Sequence, residues 1–139
     1  MGEVVALLQL NPTVGDIESN VASIEEAASL AASAGASIAW TCELAVCGYP
    51  PRDLLLEDGF VEQCQAAASA VDSPIPLLVG SPIDSGSERT KPANGAVRVG
   101  PGGSGEVACR KQLLPTYDVF DEARYFEPNL DAGLAIASG

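Results

Sequence analysis

Residues 37–60 read SIAWTCELAVCGYPPRDLLLEDGF, an apolar segment followed by an acid and a stiff turn. Residues 37–41 are typical of a buried strand, and Glu43 follows at the carboxyl end of that strand. A Gly-Tyr-Pro-Pro turn at residues 48–51 then leads into a leucine-rich segment. Open α/β sheets often place chemistry at the carboxyl ends of their strands. A solvated loop residue is nevertheless the commoner explanation for a lone glutamate in this position.

The residues before this stretch predict an α/β fold. An apolar run at residues 3–10 is typical of a strand buried on both faces. Asp16 can cap a helix whose apolar residues are spaced three or four apart, and Gly35 can end that helix in a left-handed conformation. The chain is therefore predicted to open as strand–helix–strand, with the helix as a crossover connection.

The residues after it predict a helix, a strand and a hairpin. One apolar face predicts a helix over residues 60–71, and residues 77–79 are typical of a third buried strand that ends at a Gly-Ser-Pro turn. Residues 94–99 and 106–111 predict a hairpin around the run GPGGSG at 100–105. This run matches a dinucleotide-binding pattern formally, but strands flank it, and a phosphate loop needs a helix directly after the glycines.

Composition narrows the classes of function. Acids outnumber bases 19 to 7, and the formal net charge of −12 argues against binding to nucleic acid or to anionic membranes. Histidine is absent, which excludes histidine-based triads and histidine-ligated zinc. Cys42, Cys47, Cys64 and Cys109 lack the spacing of a metal site, and the amino terminus lacks a signal-peptide pattern. We therefore expect a cytoplasmic protein with free thiols and without a metal.

A second charged stretch, RKQLLPTYDVFDEARYFEP, covers residues 110–128. Strand alternation places Cys109 and Lys111 on the same face of the predicted hairpin. A lysine at the end of a strand is either a solvated residue at the rim of the sheet or a residue held in a site. The spacing alone favours the rim.

Together these stretches resemble the nitrilase (carbon–nitrogen hydrolase) superfamily and, within it, the glutaminase domains of glutamine-dependent NAD+ synthetases. The resemblance also covers LQLNPTVGDIESN at residues 8–20 and LLVGSP at 77–82. The double-proline turn followed by DLLL, and the run LPTYDVFDEARYFEP, are typical of the synthetase branch. The resemblance implies that residues 1–139 are a partial carbon–nitrogen hydrolase domain, an α/β fold that forms an incomplete α-β-β-α sandwich.

The resemblance also implies a site. In this superfamily a Glu–Lys–Cys triad hydrolyses an amide. Glu43 corresponds to the general base, and Lys111 corresponds to the lysine whose ammonium stabilises the tetrahedral oxyanion. Glu122 is suited to the α-ammonium of glutamine. The expected substrate-binding residues are Tyr117, Tyr49, Phe120 and Glu122.

Two features depart from the family pattern. Cys42 stands where a proline usually precedes the base. The nucleophile is expected in a Cys-Glu-Asp context beyond this chain, so we expect no nucleophile in residues 1–139 and no activity of this chain alone. Cys109 is a fallback nucleophile, although the ordinary role of all four cysteines is that of small buried hydrophobes. Apolar residues 134–136 predict the beginning of a further strand.

The parent enzyme implied by the resemblance hydrolyses glutamine and passes ammonia to a carboxyl-terminal synthetase domain. That domain, which is absent here, amidates deamido-NAD+ and uses ATP and Mg2+. The resemblance implies no cofactor in the present domain and a homo-oligomer for the full protein. Two alternatives stay open. One is a stand-alone amidase acting on a small ω-amide, and the other is a non-catalytic truncated homologue that serves as an interaction subunit.

Overall fold

The computed structural model of the chain describes residues 2–86, 88 and 91–130. Within these ranges the strands are β1 (Val5–Leu8), β2 (Ile38–Thr41), β3 (Leu77–Ile83), β4 (Ala93–Val99) and β5 (Glu106–Arg110). The α-helices are α1 (Ile17–Ser33), α2 (Phe60–Ala70) and α3 (Glu122–Tyr125), and a short 3₁₀ helix covers Arg52–Leu56. The strand predicted to begin at residues 134–136 lies outside the described residues.

The strands form one mixed sheet in the order β1-β2-β3-β4-β5. The pairs β1–β2 and β2–β3 are parallel, whereas the pairs β3–β4 and β4–β5 are antiparallel. The parallel pairs require crossover connections, which α1 and α2 supply, and the antiparallel pairs follow from hairpins. The predicted α/β fold is therefore confirmed.

The two faces of this sheet have different surroundings. On the covered face, side chains of β3 and β4 form one buried cluster with α1 and α2. This face is defined by Leu77, Val79, Val97 and Val99. On the open face, Leu7, Trp40 and Leu78 stand side by side in register across β1, β2 and β3. Leu7 is 69% exposed and Trp40 is also exposed. The described residues thus form one helical layer and one sheet layer of the sandwich that the resemblance implies.

Two sequence predictions about strands were wrong. β1 is not buried on both faces: Val5 and Leu7 are exposed, because β1 is an edge strand and the described residues place no layer over the open face. β3 does not end at residue 79 but runs to Ile83, because β4 pairs with it over its whole length. The Gly-Ser-Pro segment at residues 80–82 therefore lies inside a strand.

Other predictions of local structure were confirmed. The carboxylate of Asp16 accepts a hydrogen bond from the backbone N–H of Ser19 at the start of α1 (3.2 Å), and Gly35 follows α1 with a φ of +91°. The glycine-rich run at 100–105 connects β4 to β5. None of the described helices is long and apolar enough to span a membrane.

Candidate active site

Glu43 lies in a tight turn that begins directly after β2. The next four residues, Leu44 to Cys47, are completely buried, and Leu44 adopts a positive φ of 52°. Positive φ is costly for a leucine, so the surrounding packing must hold this conformation. The Glu43 loop, residues 42–48, is therefore anchored by its apolar side chains, while Glu43 itself remains accessible to solvent.

Gly80 on β3 allows this loop to pack against the sheet. A Cβ atom at Gly80 would lie 2.5 Å from the carbonyl oxygen of Cys42 and 2.8 Å from the backbone nitrogen of Leu44. The N–H of Gly80 donates to Thr41 Oγ1 (2.9 Å), and its carbonyl accepts from the N–H of Val46 (3.2 Å). Only a glycine permits so close an approach of two backbones, so the glycine of the Gly-Ser-Pro segment serves the packing of this loop on β3 and not a turn.

Asn20 on α1 holds the loop from the other side. Its buried side chain donates to the carbonyl oxygens of Thr13 (2.8 Å) and Val46 (3.0 Å) and accepts from the N–H of Thr13 (2.9 Å). The N–H of Gly15 also donates to the carbonyl of Cys47 (2.8 Å). The side-chain oxygen and nitrogen of Asn20 are thus both hydrogen-bonded, and they connect the turn before α1 to the Glu43 loop. Sequence reasoning missed Asn20, because an asparagine in the first turns of a helix is ordinary.

Lys111 lies between two carboxylates, just beyond the end of β5. Its Nζ is 2.7 Å from Glu43 Oε1, 2.9 Å from Glu122 Oε2 and 3.2 Å from Glu122 Oε1. Its side chain is only 30% exposed. The interpretation of Lys111 as a solvated rim residue, which rested on spacing alone, was therefore wrong. Burial alone would lower the pKa of Lys111, but the hydrogen bonds and charges of Glu43 and Glu122 outweigh burial and raise it.

Glu122 is the buried member of this group, at 5% exposure. It opens α3, which is held in place by one hydrogen bond to its backbone and one from its own side chain. Lys91 Nζ donates to the carbonyl of Ala123 (2.8 Å), and the Tyr125 hydroxyl donates to Asp53 Oδ1 (2.8 Å). These contacts place a carboxylate from α3 against the lysine that follows β5. The pairing of Glu122 with Lys111 was not foreseen from the sequence.

Tyr49 directly follows the Glu43 loop in the chain and contacts the Glu122 carboxylate. Its hydroxyl donates to Glu122 Oε1 (3.0 Å). Burial, followed by the hydrogen bond to Glu122 and the charges of Glu122 and Glu43, raises the pKa of Tyr49 to about 12. The phenol therefore remains a neutral donor throughout the physiological pH range.

The predicted substrate-binding residues are neighbours. The ring of Phe120 lies 6.4 Å from the ring of Tyr49 and packs edge-on against Tyr117 at 5.8 Å, measured between ring centroids. The ring of Tyr117 is exposed. These aromatic residues join the charged group through the contact of Tyr49 with Glu122. Their roles as contacts of glutamine stay predictions.

A cleft of about 790 Å3 opens on the same side as the charged group, and Glu43, Lys111 and Cys109 are among the residues that line it. Asn94 from β4 also lines this cleft, and its amide donates to Glu43 Oε1 at 2.6 Å. Sequence reasoning did not single out Asn94. The cleft lies on the open face, since Trp40 and Leu78 form part of its floor.

The match to known families covers nearly the whole chain. Residues 4–134 match the model of the carbon-nitrogen hydrolase family. The chain belongs to the carbon–nitrogen hydrolase family. Among curated relatives, the glutamine-dependent NAD+ synthetase of Synechocystis is 46% identical over 88% of this chain but only 23% of its own length. The corresponding synthetase of Thermotoga maritima is 37% identical, over 89% of this chain and 22% of its own length.

Solved structures of other carbon–nitrogen hydrolases have the same fold. The glutamine-dependent NAD+ synthetase of Acinetobacter baumannii superposes with a TM-score of 0.79 and 35% identity, over 91% of this chain and 24% of its own length. An amidase of the nitrilase superfamily from Nesterenkonia superposes with a TM-score of 0.74 and 26% identity, over 91% of this chain and 48% of its own length. One solved variant of that amidase carries an acetamide moiety attached covalently at its active-site cysteine.

The cysteines of this carbon–nitrogen hydrolase chain differ in their access to the cleft. Cys47 and Cys64 are completely buried, and hydrogen bonding to Cys64 together with burial raises the pKa of the Cys47 thiol. Burial also raises the pKa of Cys42. Cys42 and Cys109 are both half-buried, and both line the cleft with Lys111. Over the described residues, none of the hydrogen bonds of Glu43 or Lys111 involves a thiol.

The charged group itself can perform acid–base chemistry. Glu43 has an accessible carboxylate beside an ammonium, and a second carboxylate holds that ammonium from the buried side. Such an arrangement can accept a proton at Glu43 and stabilise a negative charge near Lys111. In the part of the chain that the structure describes, no group of three or more His, Cys, Asp or Glu side chains is placed to hold a metal ion.

Proposed function

We propose that this chain is the amino-terminal part of the glutaminase domain of a glutamine-dependent NAD+ synthetase. The observation that carries the proposal is the position of Lys111 between Glu43 and Glu122, in a chain that is 46% identical to the Synechocystis synthetase. Because the chain spans less than a quarter of that relative, the remaining parts of the enzyme lie in residues outside this sequence.

The reaction begins with a thiol that is supplied from outside residues 1–139. Glu43 accepts the thiol proton, and the sulfur attacks the side-chain amide carbon of glutamine to form a tetrahedral oxyanion. The ammonium of Lys111 stabilises this oxyanion. Glu43 then returns the proton to the departing nitrogen, so that ammonia leaves and a thioester remains. Water attacks the thioester with Glu43 again as base, which releases glutamate and restores the thiol.

Within this mechanism Glu122 keeps Lys111 charged and in place. Both of its oxygens accept hydrogen bonds from Lys111, and one also accepts the hydroxyl of Tyr49. This geometry favours a positioning role for Glu122 over the predicted contact with the α-ammonium of glutamine. Tyr117 and Phe120 remain the proposed contacts of the substrate, since Tyr117 is exposed beside the charged group.

The released ammonia would serve a carboxyl-terminal synthetase domain, which would use ATP and Mg2+ to amidate deamido-NAD+. We assign no cofactor to the present domain and expect the full protein to be a homo-oligomer. Free thiols at Cys42, Cys47, Cys64 and Cys109 support a cytoplasmic location. Without a nucleophile of its own, the chain is expected to be inactive in isolation.

A second candidate is a stand-alone amidase of the same superfamily. It is supported by the likeness to the Nesterenkonia amidase, of which the chain covers 48%. The two candidates differ in what the gene encodes after residue 139. An ATP-binding synthetase domain favours the first, and a stop codon soon after the nucleophile strand favours the second.

The test is made on the full-length protein that carries this chain. We expect it to hydrolyse glutamine and to make NAD+ with either glutamine or ammonia as the nitrogen source. Glu43→Gln and Lys111→Ala should each reduce glutamine-dependent turnover by a factor of about 10² to 10⁴, because each removes a group that acts in the transition state. Ammonia-dependent synthesis should persist in both variants.

The matched control is Glu26→Gln, which makes the same change at an exposed position on α1. It should leave both activities unchanged. Persistent glutamine use in either site variant would refute the site assignment. Amide hydrolysis without any NAD+ synthesis would favour the amidase.

A further inference from the structure

Asn94 contacts both charged residues of the triad. It is the second residue of β4 and is 3% exposed. Its side-chain N–H donates to Glu43 Oε1 at 2.6 Å. Its backbone carbonyl accepts the N–H of Lys111 at 2.7 Å. One buried residue therefore connects the base, which follows β2, to the lysine, which follows β5.

The backbone around Asn94 leaves it little freedom. Asn94 pairs with Pro82 on β3, and its neighbour Gly95 pairs with Arg110 on β5. A Cβ at Gly95 would lie 2.7 Å from the carbonyl of Cys109, so β4 and β5 approach each other closely at this point. The amide is thus presented to Glu43 from a strand that is hydrogen-bonded on both sides. Strands position functional groups more accurately than loops do.

The chemistry of an amide suits a partner of the base. Within the described ranges, both hydrogen bonds to the Glu43 carboxylate, from Asn94 and from Lys111, reach Oε1. Oε2 is thereby left as the atom to accept the thiol proton. An amide N–H orients the carboxylate without adding a second positive charge, which would make the base weaker. An aspartate at this position would instead set two like charges against each other.

We propose that Asn94 is a positioning residue for amide hydrolysis. Its side chain orients the Glu43 carboxylate so that Oε2 faces the thiol, and its backbone carbonyl holds Lys111 at a set distance from Glu43. This inference rests on the proposed glutaminase function. Asn94 does not touch the substrate in this role but acts through Glu43 and Lys111. Its loss should therefore lower kcat for glutamine and leave KM nearly unchanged.

The experiment measures kcat, KM and the pH profile of glutamine hydrolysis in the full-length protein. Asn94→Ala should reduce kcat about 10²-fold with KM changed by less than about threefold, which is typical of a lost transition-state contribution. Asn94→Ser, which keeps a small donor, should recover part of this loss. Asn94→Asp should move the acid limb of the kcat/KM profile to higher pH by about one unit or more, because a second carboxylate disfavours ionisation of Glu43.

Two controls separate positioning from folding. Gln63→Glu adds the same charge on the exposed side of α2 and should leave the profile unchanged. Ammonia-dependent NAD+ synthesis reports whether the synthetase domain is intact, and the thermal unfolding curve of each variant reports whether the domain that contains Asn94 is folded; both should match the wild type.

The possible failures are distinguishable. If the wild type hydrolyses glutamine while Asn94→Ala and Asn94→Asp keep its kcat and its acid limb, the inference is overturned and the proposed function stands. If the Asn94 variants lose ammonia-dependent synthesis to the same extent as glutamine hydrolysis, Asn94 is merely structural and the inference is also overturned. If the wild type does not hydrolyse glutamine, the proposed function itself fails.

Discussion

On β3, Leu77 and Leu78 are adjacent in sequence but lie on opposite faces of the sheet. Leu77 is completely buried on the covered face, in the cluster that α1 and α2 complete. Leu78 stands beside Trp40 on the open face and lines the cleft that contains Glu43 and Lys111. The covered face is apolar and carries stability, whereas the open face holds the charged groups. The sheet thus keeps its chemistry away from its main source of hydrophobic stabilisation.

Substitution of these two leucines is the sharpest test of that division. Leu77→Ala should lower the stability of this chain by about 3 kcal/mol, because it leaves a cavity in packed surroundings. Leu78→Ala, the matched control, should cost about 1 kcal/mol or less. The measurement is the thermal unfolding midpoint of the purified 139-residue chain, followed by far-UV circular dichroism, because in this chain the described residues leave the open face uncovered. Equal losses in the two variants would show that the open face carries as much stability as the covered face.

Gly80 on β3 packs against the backbone of the Glu43 loop. Its substitution should therefore affect both stability and catalysis. In Gly80→Ala the new Cβ would clash with the backbone of Cys42 and Leu44. We expect a loss of about 2 kcal/mol in stability, within the usual cost of overpacking. We also expect a fall of about tenfold or more in kcat for glutamine, because a displaced carboxylate transfers protons less efficiently.

Gly100→Ala is the control for Gly80→Ala. A Cβ at Gly100 meets no heavy atom within 4 Å. The thermal half-inactivation temperature is the temperature at which the full-length protein loses half of its glutamine hydrolysis. This temperature and kcat should therefore both stay at wild-type values in Gly100→Ala. A harmless Gly80→Ala would mean that the Glu43 loop adjusts freely and does not depend on its contact with β3.

Local patterns predicted much of the fold. The hydrophobic periodicity of α1 and the cap at Asp16 depend on residues close in sequence, and both were confirmed. The hairpin of β4 and β5 was recognisable for the same reason. β1 was misjudged because an apolar run indicates a strand but does not indicate what covers it. Residues 80–82 were misjudged because Gly and Pro commonly mark turns, whereas here a distant loop requires the glycine.

The site was predictable only in part. Glu43 and Lys111 were singled out by resemblance, and the structure brings their side chains together across 68 positions of sequence. Asn20, Asn94 and the pairing of Glu122 with Lys111 were missed. Each depends on a contact between a side chain and an element far away in the chain, for which no local periodicity exists.

Tyr49, which contacts Glu122 in the charged group, offers a smaller test that depends on pH. Its pKa is about 12 in the fold and about 10 in an unfolded chain, so the protonated phenol stabilises the fold fully below pH 10. That contribution is lost as the pH rises from 10 to 12. The thermal half-inactivation temperature of Tyr49→Phe should therefore decline less steeply over this range than that of the wild type.

The raised pKa of Lys111 acts in the same direction, so part of the alkaline decline should remain in Tyr49→Phe. Tyr117→Phe, at an exposed ring, is the control and should follow the wild-type curve. An unchanged slope in Tyr49→Phe would show that burial and the hydrogen bond to Glu122 do not together raise the pKa of Tyr49 in the fold.

The smallest effect on stability is expected at Leu7, where the effect on association should be the clearest. Leu7 is 69% exposed on the open face, and Leu30 is 65% exposed on α1, so Leu→Ser removes a similar exposed side chain at either position. Each change should alter stability by about 0.5 kcal/mol or less.

The purified 139-residue chain should self-associate through the open face, because Leu7 and Trp40 there form a continuous apolar surface. Leu7→Ser should therefore lower the weight-average mass in sedimentation, and Leu30→Ser should not. An equal decrease in both variants would mean that association depends on exposed apolar area anywhere on the surface, and not on the face that carries the site.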